Sequence, residues 1–131
     1  MLGAQLWLNL PKAHKMTDPT YRDITAKDLA IYEDDQLAAK VIAGSFKGKT
    51  GAVKGTFVDP VYMDVAIKPN GNFETALPEI DTAFLLLLEG EIRFPDGKSA
   101  SAPDTKGVLL TSGEMVKISS EKGARLLFIA G

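Results

Sequence analysis

The sequence predicts an all-β domain, an antiparallel sandwich or barrel with at most one short helical turn, and three observations carry that expectation. From Leu37 to Ala130 the apolar residues fall in short runs punctuated by Gly, Pro, Asn or Asp. Ala83 to Leu88 is apolar without a break, far short of the about 20 residues that span a membrane but suited to a strand covered on both faces. No stretch reads as a helical crossover, so consecutive strands are expected to pair antiparallel.

Taken in order, Leu6, Leu8 and Leu10 alternate with Gln5, Trp7 and Asn9, the period of a strand over Met1 to Leu10. That stretch lacks the basic start and solid apolar centre of a targeting peptide, so the chain is expected to start at Met1 and to reside in the cytoplasm. Pro11 to Tyr21 is polar and broken by Pro11 and Pro19, an ordered loop or extended arm. Thr25-Ala-Lys-Asp28 has capping-box spacing, with Asp for the usual Glu or Gln, and is expected to start the one helical turn, through Leu29 to Tyr32. Glu33-Asp34-Asp35 reads as a solvated turn.

Leu37 to Phe46 is a β run ending in a glycine-rich loop, followed by Ala52 to Val58 and by Val61 to Lys68, whose Val61, Met63, Val65 and Ile67 should face the core. Asn70-Gly71 tolerates the positive φ of a tight turn. Phe73 to Leu77 precedes the central apolar strand. Glu89-Gly90-Glu91 interrupts it, and Ile92 and Phe94 then alternate with Glu91 and Arg93 as in a strand buried on one face. Asp96-Gly97 supplies the next reversal, and Lys98 to Ala102, Gly107 to Thr111, Met115 to Ser119 and Arg125 to Ala130 complete the set.

Composition removes several function classes. The 131 residues are read as one domain, with 1–36 as N-terminal strand and connecting arm, large enough to fold without staples. A net charge of -2 gives no sign of a polyanion partner, so neither nucleic acid nor membrane is expected. The absence of cysteine excludes disulfides, a thiol nucleophile and thiolate metal sites, and fits a reducing compartment. His14 is the only histidine, so no site built from several imidazoles exists within one chain.

Three motifs carry possible chemistry. Ala43-Gly-Ser-Phe-Lys-Gly48-Lys49-Thr50 matches a loose phosphate-binding loop, but that motif requires a helix starting at its lysine; Gly51, Gly55 and Pro60 follow instead, so a mobile hairpin loop is expected. Lys40, Lys47, Lys49 and Lys54 form a basic patch without the arginines and aromatics that nucleic acid demands, best read as a solvated face. Trp7, on the strand face opposite Leu6 and Leu8, calls for a covering surface, either the Pro11 to Tyr21 loop or a partner.

Two stretches together resemble a known family. Gln5-Leu-Trp-Leu-Asn-Leu-Pro-Lys-Ala-His-Lys-Met16-Thr-Asp-Pro-Thr-Tyr21 is similar to the segment joining the two halves of pirins. Val41-Ile-Ala-Gly44, Phe57 to Pro60, Leu85 to Gly90 and Leu127-Phe-Ile-Ala-Gly131 follow in the order of a pirin's second domain. The resemblance covers nearly all of this chain but only the latter half of a pirin, without its last strand and helix. It implies a cupin-type jelly roll. It also implies that the metal, its histidine and glutamate ligands and the flavonol dioxygenase activity belong to the other half, as does the transcriptional-cofactor role.

Aligning the general cupin pattern by Gly90 puts its ligand positions at Leu77, Glu79 and Ala83, and reading Thr111-Ser112-Gly113 as the second motif puts the last at Val116. Three of the four cannot ligate, so no cofactor is expected. Asp64, Glu74, Glu79 and Asp81 are carboxylates that could gather at a barrel mouth. The first expectation is therefore a metal-free binding or assembly module, a homodimer in which Leu6, Trp7 and Leu8 contribute to the interface and the first strand is open to exchange. The alternatives are a small-molecule binding protein or enzyme using the barrel interior around Met63, Phe84, Leu86 and Val116, or half of a split pirin dioxygenase that needs a metal-bearing partner chain.

Overall fold

The computed structural model describes residues 3–55, 57–77, 82–104, 107–111 and 113–131. Its strands are β1 (Ala30–Glu33), β2 (Leu37–Ala43), β3 (Ser45–Phe46), β4 (Lys49–Thr50), β5 (Val61–Ile67) and β6 (Gly71–Ala76), followed by β7 (Ala83–Arg93), β8 (Ser99–Ser101), β9 (Val108–Leu109), β10 (Met115–Ser120) and β11 (Ala124–Ala130). Among the described residues the one helical element is a 3-10 turn at Lys12–His14.

Local chemistry explains several turns. Asp34 joins β1 to β2: its Oδ1 accepts the backbone N–H groups of Gln36 at 2.8 Å and Leu37 at 2.9 Å, and its Oδ2 accepts the Tyr32 hydroxyl at 2.8 Å. Lys47 and Gly48, both at positive φ, turn β3 into β4, so the loop resembling a phosphate cradle is a hairpin.

Nine strands form one curled sheet in the order β1-β2-β5-β11-β7-β10-β6, with β8 and β9 also paired to β7, and every ladder is antiparallel. Neighbours such as β5 and β11 lie far apart along the chain, the Greek-key connectivity of a jelly roll. β7 ties the halves together. Ala83 to Gly90 pairs with β11, and Glu91 to Arg93 pairs with β8. Inside, Phe46, Phe73 and Phe128 form a ladder of rings with centroids 5.5 and 5.4 Å apart, joining β3, β6 and β11 through the core. Met63, Val65, Leu85 and Leu126 are buried around it, each contributing about 1.5–3 kcal/mol of hydrophobic stabilisation. The seam between β6 and the β1–β2 turn is fastened by Asn72 Nδ2, which donates to Gln36 Oε1 at 2.9 Å.

Several expectations change. Residues 3–10 are not a strand: their alternation finds no backbone ladder among the described residues, and a strand forms only where its amides have partners. Met1 and Leu2 lie outside the described residues. Thr25 and Asp28 do make the expected contacts, with Thr25 N and Oγ1 each donating to Asp28 Oδ2 at 2.8 Å, but the result is an isolated turn. Ala30 to Tyr32, expected to belong to that helical turn, and Glu33, expected to start a solvated turn, pair instead with Val41 to Ala38, because a ladder outweighs a weak helix signal. Of Ala52 to Val58, the described residues contribute only an isolated bridge from Val53 to Ala43. The two strands expected on either side of Gly90 are one strand, with Leu88 left unpaired as a bulge where the register with β11 shifts between Arg125 and Leu126.

Candidate functional site

A cavity of about 490 Å3 opens at one end of the barrel between the β7–β8 hairpin, β9 and β10. Leu77, Ala83 and Val116 line it, together with Val108, Leu110 and Phe94. These first three are residues that the cupin pattern places at ligand positions, Leu77 and Ala83 through Gly90 and Val116 through Thr111-Ser112-Gly113, and they meet at one place in three dimensions. None of them carries a donor atom, so these residues do not fit a cupin metal. The fourth position, Glu79, and the carboxylate of Asp81 lie outside the described residues, as does Ser112.

The remaining candidate donors lie elsewhere. Asp64 is bound to Arg125, and Glu74 lies 3.6 Å from Lys117 Nζ. His14 stacks on Phe57 with ring centroids 4.0 Å apart, on the arm rather than in the barrel. Among the described residues no three His, Cys, Asp or Glu side chains come together as a metal would require.

The mouth of the cavity is charged. Lys98, Lys117 and Asp96 stand at its rim with Ser99 and Thr111. Asp96 Oδ1 accepts the Lys98 backbone N–H at 3.0 Å, and Oδ2 lies 3.0 Å from the Lys98 ammonium. The backbone bond first, and the ammonium second, hold the Asp96 carboxyl below its ordinary pKa, so it is ionised at neutral pH.

The four residues expected to share an interior pocket are separated. Met63 is fully buried in the core and Val116 lines the cavity, whereas Phe84 and Leu86 lie half-buried on the opposite face of β7 from Leu85 and Leu87. An unbroken apolar run conceals which alternate set points inward, because both sets satisfy the pattern. The cavity's rim lysines escaped sequence reasoning. Their one signal was the clustering of Leu77, Ala83 and Val116 at aligned positions, with Lys117 next to Val116.

The outer face has its own pattern. Across three adjacent strands Ile129 pairs with Tyr62 and Phe84, and Leu127 pairs with Asp64 and Leu86. Leu127 and Ile129 are only 7% and 8% exposed although they point away from the core cluster. On the N-terminal arm, Leu6 is half-buried, Leu8 is 49% exposed and Trp7 is 84% exposed. The Pro11 to Tyr21 segment does not cover the indole. No helix among the described residues is long and apolar enough to cross a membrane.

With this geometry in hand, the family model described as the Pirin C-terminal cupin domain matches residues 62–131. A putative quercetin 2,3-dioxygenase, Ta0133 of Thermoplasma acidophilum, is 31% identical over 98% of this chain and 52% of its own length. A pirin-like protein of Caulobacter vibrioides is 34% identical over 100% of this chain and 47% of its own length. The crystal structure of GK1651 from Geobacillus kaustophilus superposes with a TM-score of 0.83 at 27% identity, covering 95% of this chain and 51% of that one. This chain spans about half the length of the curated relatives it matches.

Proposed function

The chain belongs to the pirin family, matching its C-terminal cupin domain, and from that premise we propose that it is a metal-free, non-catalytic assembly module that packs its outer sheet face against a second cupin body. One observation supports this reading: on the face of the three central strands turned away from the core, the half-buried Tyr62, Phe84 and Leu86 surround Leu127 and Ile129, which are 7% and 8% exposed. A sheet face that looks outward is ordinarily polar in alternation, and an apolar one seeks cover. A second copy of the chain supplies an equivalent face, giving a homodimer in which Leu6, Trp7 and Leu8 of each arm reach the partner, and the cysteine-free composition suits a cytoplasmic setting.

A second reading rests on the cavity. Leu77, Ala83 and Val116 offer a metal nothing, so any dioxygenase chemistry of the kind named for Ta0133 would depend on ligands from a separate, metal-bearing chain seated on the same face.

Native mass spectrometry at near-physiological ionic strength tests both readings. A dimer without metal that the Leu86→Lys, Ile129→Lys exchange converts to monomer is the expected result. A wild-type monomer at micromolar concentration overturns the homodimer, and capture of a separate metal-bearing cupin chain by that monomer then supports the split reading. A metal retained by the purified chain alone overturns the metal-free assignment.

A further inference from the structure

Independently of how the chain assembles, we infer that the cavity between β7, β8, β9 and β10 is a binding site for one amphipathic organic anion, an aromatic or branched hydrocarbon body carrying a carboxylate or similar acid. Its volume, about 490 Å3, falls within the about 300–1,000 Å3 of small-molecule pockets. The interior is hydrocarbon at the positions where the cupin pattern would place metal ligands: Leu77, Ala83 and Val116 present only methyl and methylene groups, and Leu110 and Val108 extend that surface. Such a lining favours an apolar body and gives a polar group deep inside no partner.

Among the described lining residues the charged side chains are Lys98, Lys117 and Asp96, two cations to one acid, and all three are more than half exposed at the mouth. Lys98 is shared with Asp96, but both side chains are more than half exposed, 81% and 54%, and an exposed pair of this kind exchanges partners at little cost. Lys117 is held only loosely, 3.6 Å from Glu74, which is not part of the lining. An acid at the mouth therefore gains two ammonium groups while its hydrocarbon body displaces water from the interior. A neutral apolar molecule would use the interior and ignore the rim. A polar anion without a body, such as phosphate, would use the rim and forgo the interior.

The test compares 8-anilinonaphthalene-1-sulfonate with its uncharged parent, N-phenyl-1-naphthylamine, by fluorescence titration of the full chain. Saturable binding of the sulfonate at one per chain is expected, with Lys98→Met and Lys117→Met together weakening it about tenfold while leaving the amine unchanged. Added salt should weaken only the sulfonate. Val116→Trp should abolish binding of both probes. Absence of saturable binding, equal loss of both probes in the lysine variant, or undiminished binding in Val116→Trp would each overturn the inference. If Val116→Trp fails to fold, methyl spectra of the wild-type chain decide. Shifts at Leu77, Val108, Leu110 and Val116 support the cavity, and shifts confined to Leu86 and Leu127 place the probe on the outer face and overturn it.

Discussion

Arg125 and Asp64 clamp β11 to β5 through two parallel bonds, Nε to Oδ1 at 3.0 Å and Nη2 to Oδ2 at 2.7 Å, between residues 61 apart in sequence. They lie beside Leu127 in the outer row, with Asp64 the less exposed of the two. The bidentate geometry fixes both side chains on the outer face, where Lys40 is the cross-strand partner of Asp64 and Glu89 that of Arg125. Its Asp64 bonds push the Arg125 pKa above its ordinary value, so the guanidinium stays charged at every accessible pH.

Removing one member of that clamp should therefore hurt more than removing both. Asp64→Ala leaves a guanidinium without its carboxylate and is expected to destabilise by about 1–3 kcal/mol, whereas Asp64→Leu with Arg125→Met should be close to neutral. Urea unfolding of the single and the double variant checks this, and equal losses in both would contradict it.

Phe73 is the middle ring of the core ladder and is completely buried between Phe46 and Phe128. Phe73→Ala should cost about 3–5 kcal/mol through lost burial and the cavity left behind, and Phe73→Leu clearly less. Denaturant midpoints at constant slope supply the comparison.

Gly90 and Gly97 share positive φ angles of 82° and 85° but not their surroundings. A Cβ on Gly90 would press into the Gly123 carbonyl and stand 2.9 Å from Ala124 Cα, while one on Gly97 meets open space. Gly90→Ala is expected to cost at least about 2 kcal/mol and Gly97→Ala about 1 kcal/mol. Thermal unfolding of the pair separates backbone strain from collision; similar losses would mean that β11 yields easily at its register shift.

The Asp34 carboxyl is lowered from its ordinary 3.8 to about 2, chiefly by the Tyr32 hydroxyl, then by the backbone N–H groups of Gln36 and Leu37, with Lys47 adding a charge. Between those two values the unfolded chain binds more protons than the folded one. The stabilisation is thus complete above about pH 4 and fades as the pH falls toward 2. Asp34→Asn should be less stable than wild type at pH 7, and the gap should close over that window. A gap independent of pH would assign the effect to turn geometry alone.

The sequence by itself determined the fold class and most strands. Met63, Val65 and Ile67 declared the inner face of β5 because polar or small residues stood between them, and Asn70-Gly71 and Asp96-Gly97 marked reversals through their tolerance of unusual backbone angles. The cupin pattern, aligned through Gly90 for Leu77 and Ala83 and through Thr111-Ser112-Gly113 for Val116, also picked out three residues that meet in the cavity. Tertiary structure alone decided the rest. Leu6, Leu8 and Leu10 have strand spacing but no ladder, and Ala30 to Glu33 became a strand because β2 offered one. Phe84 and Leu86 went outward while Leu85 and Leu87 went in, a choice invisible in a run where every residue is apolar. Side-chain periodicity is local and is written along the chain, whereas pairing partners and the face that meets the core are set by residues as distant as Asp64 and Arg125.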